Sequence, residues 1–210
     1  MTQDKLQTLF KDYFGLYTPS LSKGVALVSL LLDETLKRGE LDSSFNLLCG
    51  EIAKYLQEVS STEEKAEIFR LVLFDKLKFK ISALSDEKQL SLKQVIRTRN
   101  TTPMFMGVLY LLLAQNFRTP AFLGLSKGQI IVCFKKEYNF PNVYIGLNNN
   151  GAFITDSELS ARGVKQELQI LNTKQIIRYL LSNLIYLYTK QNADGKKQFI
   201  QTLLKINNYL

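Results

Sequence analysis

VIRTRNTTPMFMGVLYLLLAQNFRTPAFLGLSKGQIIVCF, residues 95–134, decides how the rest of the chain is read. From Met104 to Ala114 the only residue without an apolar side chain is Gly107. Fully burying each large side chain is worth about 1.5–3 kcal/mol, so such a run does not stay on a surface. It is also too short to span a bilayer, which takes about 20 residues. The run therefore reads as a central buried helix from Thr102 to Phe117, with Thr102 at the N-cap and Pro103 at the first helical position. After Thr119-Pro120 the texture changes to two short β-type runs, AFLGL and QIIVCF, joined by Ser126-Lys127-Gly128.

Outward from this stretch the pattern is helical on the N-terminal side. Residues 3–17 read as a short opening helix ended by Gly15 and the Thr18-Pro19 turn, and Ser20 to Lys37 as a second, closed by Gly39. Residues 42–58 place Phe45, Leu48, Cys49, Ile52, Ala53 and Leu56 on one helical face. Ser61 with Glu64 forms a capping box for the helix through IFRLVLFDKL, and the region KFKISALSDEKQLSLKQVI is irregular.

On the C-terminal side, KKEYNFPN (135–142) reads as a loop. VYIGLN and AFIT read as a strand pair with Asn150-Gly151 where a type I′ turn belongs. Residues 156–171 are indistinct. Asn172 with Gln175 caps a long helix whose face carries Ile177, Leu180, Leu181, Leu184 and Tyr188, Asp194-Gly195 breaks the chain, and KKQFIQTLLKI turns back. The layout is an α+β class: N-terminal helices (1–94), a central buried helix with a small antiparallel sheet (95–171), and a helical hairpin (172–210), together forming one compact unit.

Composition narrows the chemistry further. The 210 residues contain no histidine, which removes the commonest general base and metal ligand together and excludes Cys-His and Ser-His hydrolase mechanisms. Cys49 and Cys133 read as buried structural thiols, with no metal-ligand spacing and no disulfide framework. The absence of an apolar leader near MTQDKLQTLF points to the cytoplasm. No cofactor is implied.

The net charge of +8 is uneven. Residues 1–110 hold 15 Lys+Arg against 14 Asp+Glu, and residues 111–210 hold 12 against 5. A basic half suggests an acidic partner, a nucleic acid or an anionic membrane surface, or else only a solvated face. No transmembrane segment is present. The basic lysines are not interleaved with aromatics on one strand, which argues against binding single-stranded nucleic acid by stacking.

Taken in order, LVLFDKLKF (71–79), RTRNTTPMFMGVLYLLLAQNFRTP (97–120), AFLGLSKGQIIV (121–132), AFITD (152–156) and SNLIYLYTKQNADGKKQFIQTLLKI (182–206) resemble the SirB family. These are bacterial transglutaminase-like proteins with a tetratricopeptide-like tail, whose corresponding phrases are of the type LFEELGF, RRGIP opening LYLxLARRLGLP, GLPGHFLV and FIDPF. The resemblance implies a transglutaminase-like or papain-like core, with the central helix packed on an antiparallel sheet of 129–134, 143–148 and 152–155, and a regulatory or protein-interaction role. It also implies a lost triad. The residue where such enzymes begin the buried helix with cysteine is Pro103, the strand histidine falls on Gln129, and the orienting acid falls on Thr155 or Asp156.

Two further groups stand out. Arg97, Arg99, Asn100, Thr101 and Thr102 lie just ahead of the central helix, either as an anion or carboxylate site at a helix N-terminus or as structural caps and ion pairs with core-edge carboxylates. Tyr179, Tyr186 and Tyr188 of the closing hairpin either form a peptide-binding face or pack on their own domain. The reading is a catalytically inactive scaffold or regulatory module that binds a partner with an acidic or carboxylate-bearing surface. The alternative is an enzyme using Asp156, Gln129 and Arg99 in a histidine-free elimination or isomerisation of a small anionic substrate.

Overall fold

The computed structural model describes residues 2–135, 142–149, 151–161, 163 and 168–205, leaving the side chains of Arg38 and Asp156 outside that set. α1 (Gln3–Gly15) buries Leu6, Phe10, Tyr13 and Phe14 on one stripe. α2 (Leu21–Leu32) stops short of the expected Lys37. The Asp33 carboxylate accepts from the Thr35 amide at 3.0 Å and from its hydroxyl at 2.6 Å. That local turn competes with further helical bonds and ends the helix. Gly39 consequently lies in the first turn of α3 (Arg38–Ala53) instead of closing α2. α3 buries Leu48, Cys49 and Ile52 but ends at Ala53, which is exposed, so the helix does not run on to residue 58.

α4 (Thr62–Arg70) is N-capped by Ser61, but the reciprocal half of the expected capping box goes to the Ser61 hydroxyl and not to its amide. Ser61 Oγ accepts from the Glu64 amide at 3.2 Å and its hydroxyl donates to the Glu64 carboxylate at 2.7 Å. The helix continues as a π-turn at Leu71–Lys76, from which the Leu77 amide reaches the Val72 carbonyl at 2.8 Å. The chain leaves it through Lys78 in the left-handed region, φ 58°. The stretch read as irregular then supplies β1 (Lys80–Ile81), a 3-10 turn (Glu87–Leu90), α5 (Leu92–Thr98) and β2 (Asn100–Thr101), which pairs in parallel with β1.

α6 (Pro103–Asn116) is the central helix, and every residue from Met104 to Ala114 is buried. It has no polar face because it has no solvent face. Gly107 is where it touches the sheet: a Cβ there would stand 2.4 Å from Leu123 Cδ1. Tyr110 lies edge-on to Phe134, ring centroids 6.1 Å apart.

Among the described residues the main sheet has five antiparallel strands in the order β6-β5-β4-β3-β7. These are β3 (Ala121–Ser126), β4 (Gln129–Phe134), β5 (Val143–Gly146), β6 (Ala152–Ile154) and β7 (Gln169–Leu171). Lys127 (φ 47°) and Gly128 (φ 75°) make the tight β3–β4 turn, both left-handed as a type I′ turn requires. The second hairpin differs from expectation. Gly146 pairs with Ala152, so its connection is five residues long, 147–151, and includes a 3-10 turn at Leu147–Asn149. Leu147 is fully buried within that connection. Asn150 of the expected turn, and most of the 135–142 loop, lie outside the described residues.

The indistinct region 156–171 contributes α7 (Asp156–Ala161) and β7. α8 (Thr173–Lys190) begins at the Asn172–Gln175 capping box, with bonds of 2.8 and 2.9 Å. α9 (Asp194–Lys205) starts at Asp194, so the break lies one step earlier, at 191–193, where Asn192 takes φ 53°. Ile177, Leu180, Leu181, Leu184 and Tyr188 join one core cluster that runs from Leu6 to Leu203. No helix of the described residues is long and apolar enough to cross a membrane.

The Tyr110 hydroxyl is buried without a hydrogen-bond partner among the described residues. A buried unpaired hydroxyl is a net penalty of about 1–3 kcal/mol. Tyr110→Phe is therefore expected to leave stability unchanged or raise it by about 1 kcal/mol in a urea melt. A loss above about 1 kcal/mol would show that the hydroxyl is engaged.

Candidate functional site

The positions that the resemblance assigns to a triad, Pro103, Gln129 and Thr155 or Asp156, lie at the start of α6, on β4 and just after β6. Thr102 Oγ1 accepts from the Phe105 amide at 3.3 Å, so the cap is made by the chain itself. Pro103 follows, half-buried, at the first helical position. The Thr101 hydroxyl donates to the Gln89 carbonyl at 3.1 Å, and Thr101 and Thr102 are both buried. Asn100 accepts from the Ser82 hydroxyl at 2.8 Å. These three polar side chains are thus taken up in holding the segment in place. Arg97 and Arg99 remain exposed, and neither has an ion-pair partner among the described residues.

Strand alternation locates Gln129. Ile130, Val132 and Phe134 belong to the core shared with α6, whereas Ile131 and Cys133 belong to a second cluster with Tyr144, Ile154 and Leu159 of α7. Successive side chains point to opposite faces, so Gln129 stands on the Ile131–Cys133 side. Its cross-strand partner Ser126 is on that side too. The position on the α6 side at that end of the strand is Ile130, buried and apolar, whose amide donates to Asn148 Oδ1 at 2.9 Å. Pro103 and Gln129 therefore have the sheet between them.

The acid positions follow β6. Thr155 caps α7, its hydroxyl accepting from the Glu158 amide at 3.2 Å while its own amide donates to the Glu158 carboxylate at 2.7 Å. Asp156 is the first residue of α7, and its side chain lies outside the described set.

A family model described as the transglutaminase-like superfamily matches residues 40–182. The chain belongs to the transglutaminase-like superfamily. The match runs from the first turns of α3 into α8 and so includes α6 and the whole sheet, leaving α1, α2 and α9 outside. No curated protein and no solved structure matches the chain.

Two clefts among the described residues, one inside the matched segment and one largely outside it, are lined by none of Pro103, Gln129 and Arg99. One, of about 400 Å³, lies between α4 and β6 and is lined by Glu67, Ile68, Arg70, Leu71, Ala152 and Phe153. Its Arg70 is paired with Asp75 at 2.8 Å and stands 5.8 Å over the Phe153 ring. The other, of about 170 Å³, lies where α1 and α2 meet the closing hairpin. There the Tyr188 hydroxyl donates to Glu87 at 2.6 Å and Lys196 reaches the same carboxylate at 3.2 Å. Burial, then the Glu87 contact, pushes the Tyr188 phenol upward. Tyr188 thus belongs to the core side of α8, while Tyr179 and Tyr186 are exposed. The three tyrosines do not form one face. No group of three or more His, Cys, Asp or Glu among the described residues is placed to hold a metal ion.

Sequence reasoning missed two cations beside the arginines. Lys80 pairs with Asn100, and its amide donates to the Arg99 carbonyl at 2.7 Å. Lys78 precedes it in a left-handed turn, as Arg99 (φ 58°) does on the other strand. Glycine adopts that conformation without steric cost, whereas a residue with a Cβ does not. No period in the sequence joins residue 78 to residue 99.

Cys133 is fully buried on β4, and Cys49 is buried in α3, where desolvation pushes its thiol up to about 11. A folded-state value above the unfolded one, about 8.5, favours the neutral thiol in the fold. That contribution is present in full below the unfolded value and is lost as pH rises through about 11. Stability is therefore expected to fall between about pH 9 and pH 11, less steeply in Cys49→Ala. Urea melts of both proteins across that range check this, and parallel declines would remove Cys49 as the cause.

Proposed function

We propose that this chain is a transglutaminase-like domain without catalytic function that acts as a regulatory or scaffold module and binds a partner protein whose surface is acidic or carboxylate-bearing. The observation that carries the reading is the absence of histidine from all 210 residues of a chain with this family membership. A thiol nucleophile of such a core needs an adjacent base to form its thiolate, and a glutamine amide takes up no proton near neutral pH. Proline at the start of α6 supplies no nucleophile, and the two cysteines that exist are buried elsewhere. The resemblance to the SirB family, with its tetratricopeptide-like closing hairpin, supports a bacterial, cytoplasmic, interaction-based role. A histidine-free enzyme would need Asp156, Gln129 and Arg99 to meet at one substrate, and nothing in the two clefts favours that.

The test is turnover. Purified protein should incorporate no fluorescent amine into a glutamine-bearing acceptor and hydrolyse no thioester or peptide above the uncatalysed rate. Treatment with iodoacetamide should change neither result. Iodoacetamide-sensitive amine incorporation or hydrolysis would overturn the reading.

A further inference from the structure

We propose that Lys78, Lys80, Arg97 and Arg99 form a docking surface for an acidic polypeptide segment of a partner protein. The inference rests on the binding-module reading above and names the surface and the partner's chemistry. The β1–β2 ladder brings the four residues together across nearly twenty positions of sequence. Lys80 and Arg99 are joined by a backbone hydrogen bond of 2.7 Å, and Lys78 and Arg97 each stand two residues before one of them. All four are exposed. None has an ion-pair partner among the described residues, whereas Arg70, Lys93, Lys196 and Lys197 each do. The acids nearest in sequence are engaged elsewhere, Asp75 with Arg70 and Asp86 in a capping box and with Lys88.

Two features show that the arrangement is not dictated by stability. Four neighbouring cations repel one another, a cost that a bound anion removes. Lys78 and Arg99 also occupy left-handed backbone that glycine adopts more easily.

The partner's class follows from what surrounds the charges. The exposed large apolar and aromatic side chains, Tyr17, Tyr55, Phe153, Tyr179 and Tyr186 among them, lie on other elements. Single-stranded nucleic acid is held by stacking on aromatics, and a membrane surface by apolar insertion beside the cations. β1, β2 and α5 themselves carry no exposed large apolar or aromatic side chain. The patch does offer a two-stranded ladder with no third strand on it among the described residues. A polypeptide can extend such a ladder with its backbone, and two guanidinium forks match carboxylates in bidentate geometry.

The probe is a fluorescein-labelled ten-residue polyglutamate peptide, titrated with the full chain by fluorescence anisotropy at about 50 mM and about 300 mM salt. The wild-type chain should bind at low salt and weaken at high salt. Lys80→Glu/Arg99→Glu should reduce affinity by more than about tenfold. Lys78→Gly should reduce it about threefold while holding or raising Tm, because it relieves the left-handed strain. Lys5→Glu/Lys11→Glu on α1, with the same change in net charge, should stay within about twofold.

Three results overturn the proposal: no peptide binding by the wild type, an equal loss in the α1 control, or tighter binding of a ten-nucleotide thymidine oligomer or phosphatidylglycerol vesicles through the same residues. Each leaves the absence of turnover untouched. Turnover, conversely, would remove the functional reading without altering this titration.

Discussion

Phe134→Ala is expected to destabilise the fold by about 3–5 kcal/mol. Phe134 is fully buried at the end of β4. Its ring contacts Phe69 of α4 at 5.9 Å and Tyr110 of α6 at 6.1 Å, so it joins the N-terminal helices, the central helix and the sheet. Truncation removes the transfer free energy and leaves a void between three elements that cannot all collapse onto it. Cys133→Ala, one residue away, removes far less volume from the smaller cluster on the opposite face and serves as the comparison. Urea melts of the two variants check this. A Phe134→Ala loss below about 1.5 kcal/mol would mean that α4, α6 and the sheet do not meet at this ring.

Gly151→Val is the second large effect, about 2–5 kcal/mol. Gly151 has φ 74°, and a Cβ there would stand 2.2 Å from the Phe74 ring. A β-branched side chain is strained at that φ whatever the space, and here the space is already filled by a ring from the π-turn after α4. Gly50→Ala is the contrasting case. Gly50 sits within α3, and a Cβ added to it would meet no atom within 4 Å. Alanine there should gain about 0.5–1 kcal/mol through helix propensity. Thermal or urea melts of the pair measure both signs. A tolerated valine at 151 would mean that the β5–β6 connection does not pack against Phe74.

What could be read from the sequence was what short-range chemistry controls. The run from Met104 to Ala114 had to be a buried helix, the Thr102-Pro103 start and the Asn172–Gln175 box had to cap, and Lys127-Gly128 had to turn a hairpin. The misread boundaries were those where a side chain or a tertiary contact overrode the pattern. Asp33 stops α2 through Thr35, and a 3-10 turn at Leu147–Asn149 follows β5, leaving a connection longer than the Asn-Gly pair suggested.

The candidate site was legible only in part. The resemblance placed Pro103 and Gln129 at two triad positions, but which face of β4 meets α6 depends on packing and is not written in the motif. Arg97 and Arg99 were visible as a pair. Lys78 and Lys80 joined them only through a parallel ladder of two residues per strand, too short to leave a periodic signal.

The separation of Pro103 from Gln129 by the sheet can be measured directly. Pro103→Cys places a thiol at the start of α6, and Pro103→Cys/Gln129→His adds a histidine at the strand position that the family pattern would use. The rate of iodoacetamide modification at residue 103, followed against pH by mass spectrometry, gives the thiol pKa in each variant. The two profiles should superimpose, because the imidazole stands on the far face of β4. A fall of more than about one pKa unit on adding the histidine would show that the two positions meet as a catalytic pair, contradicting their separation by the sheet.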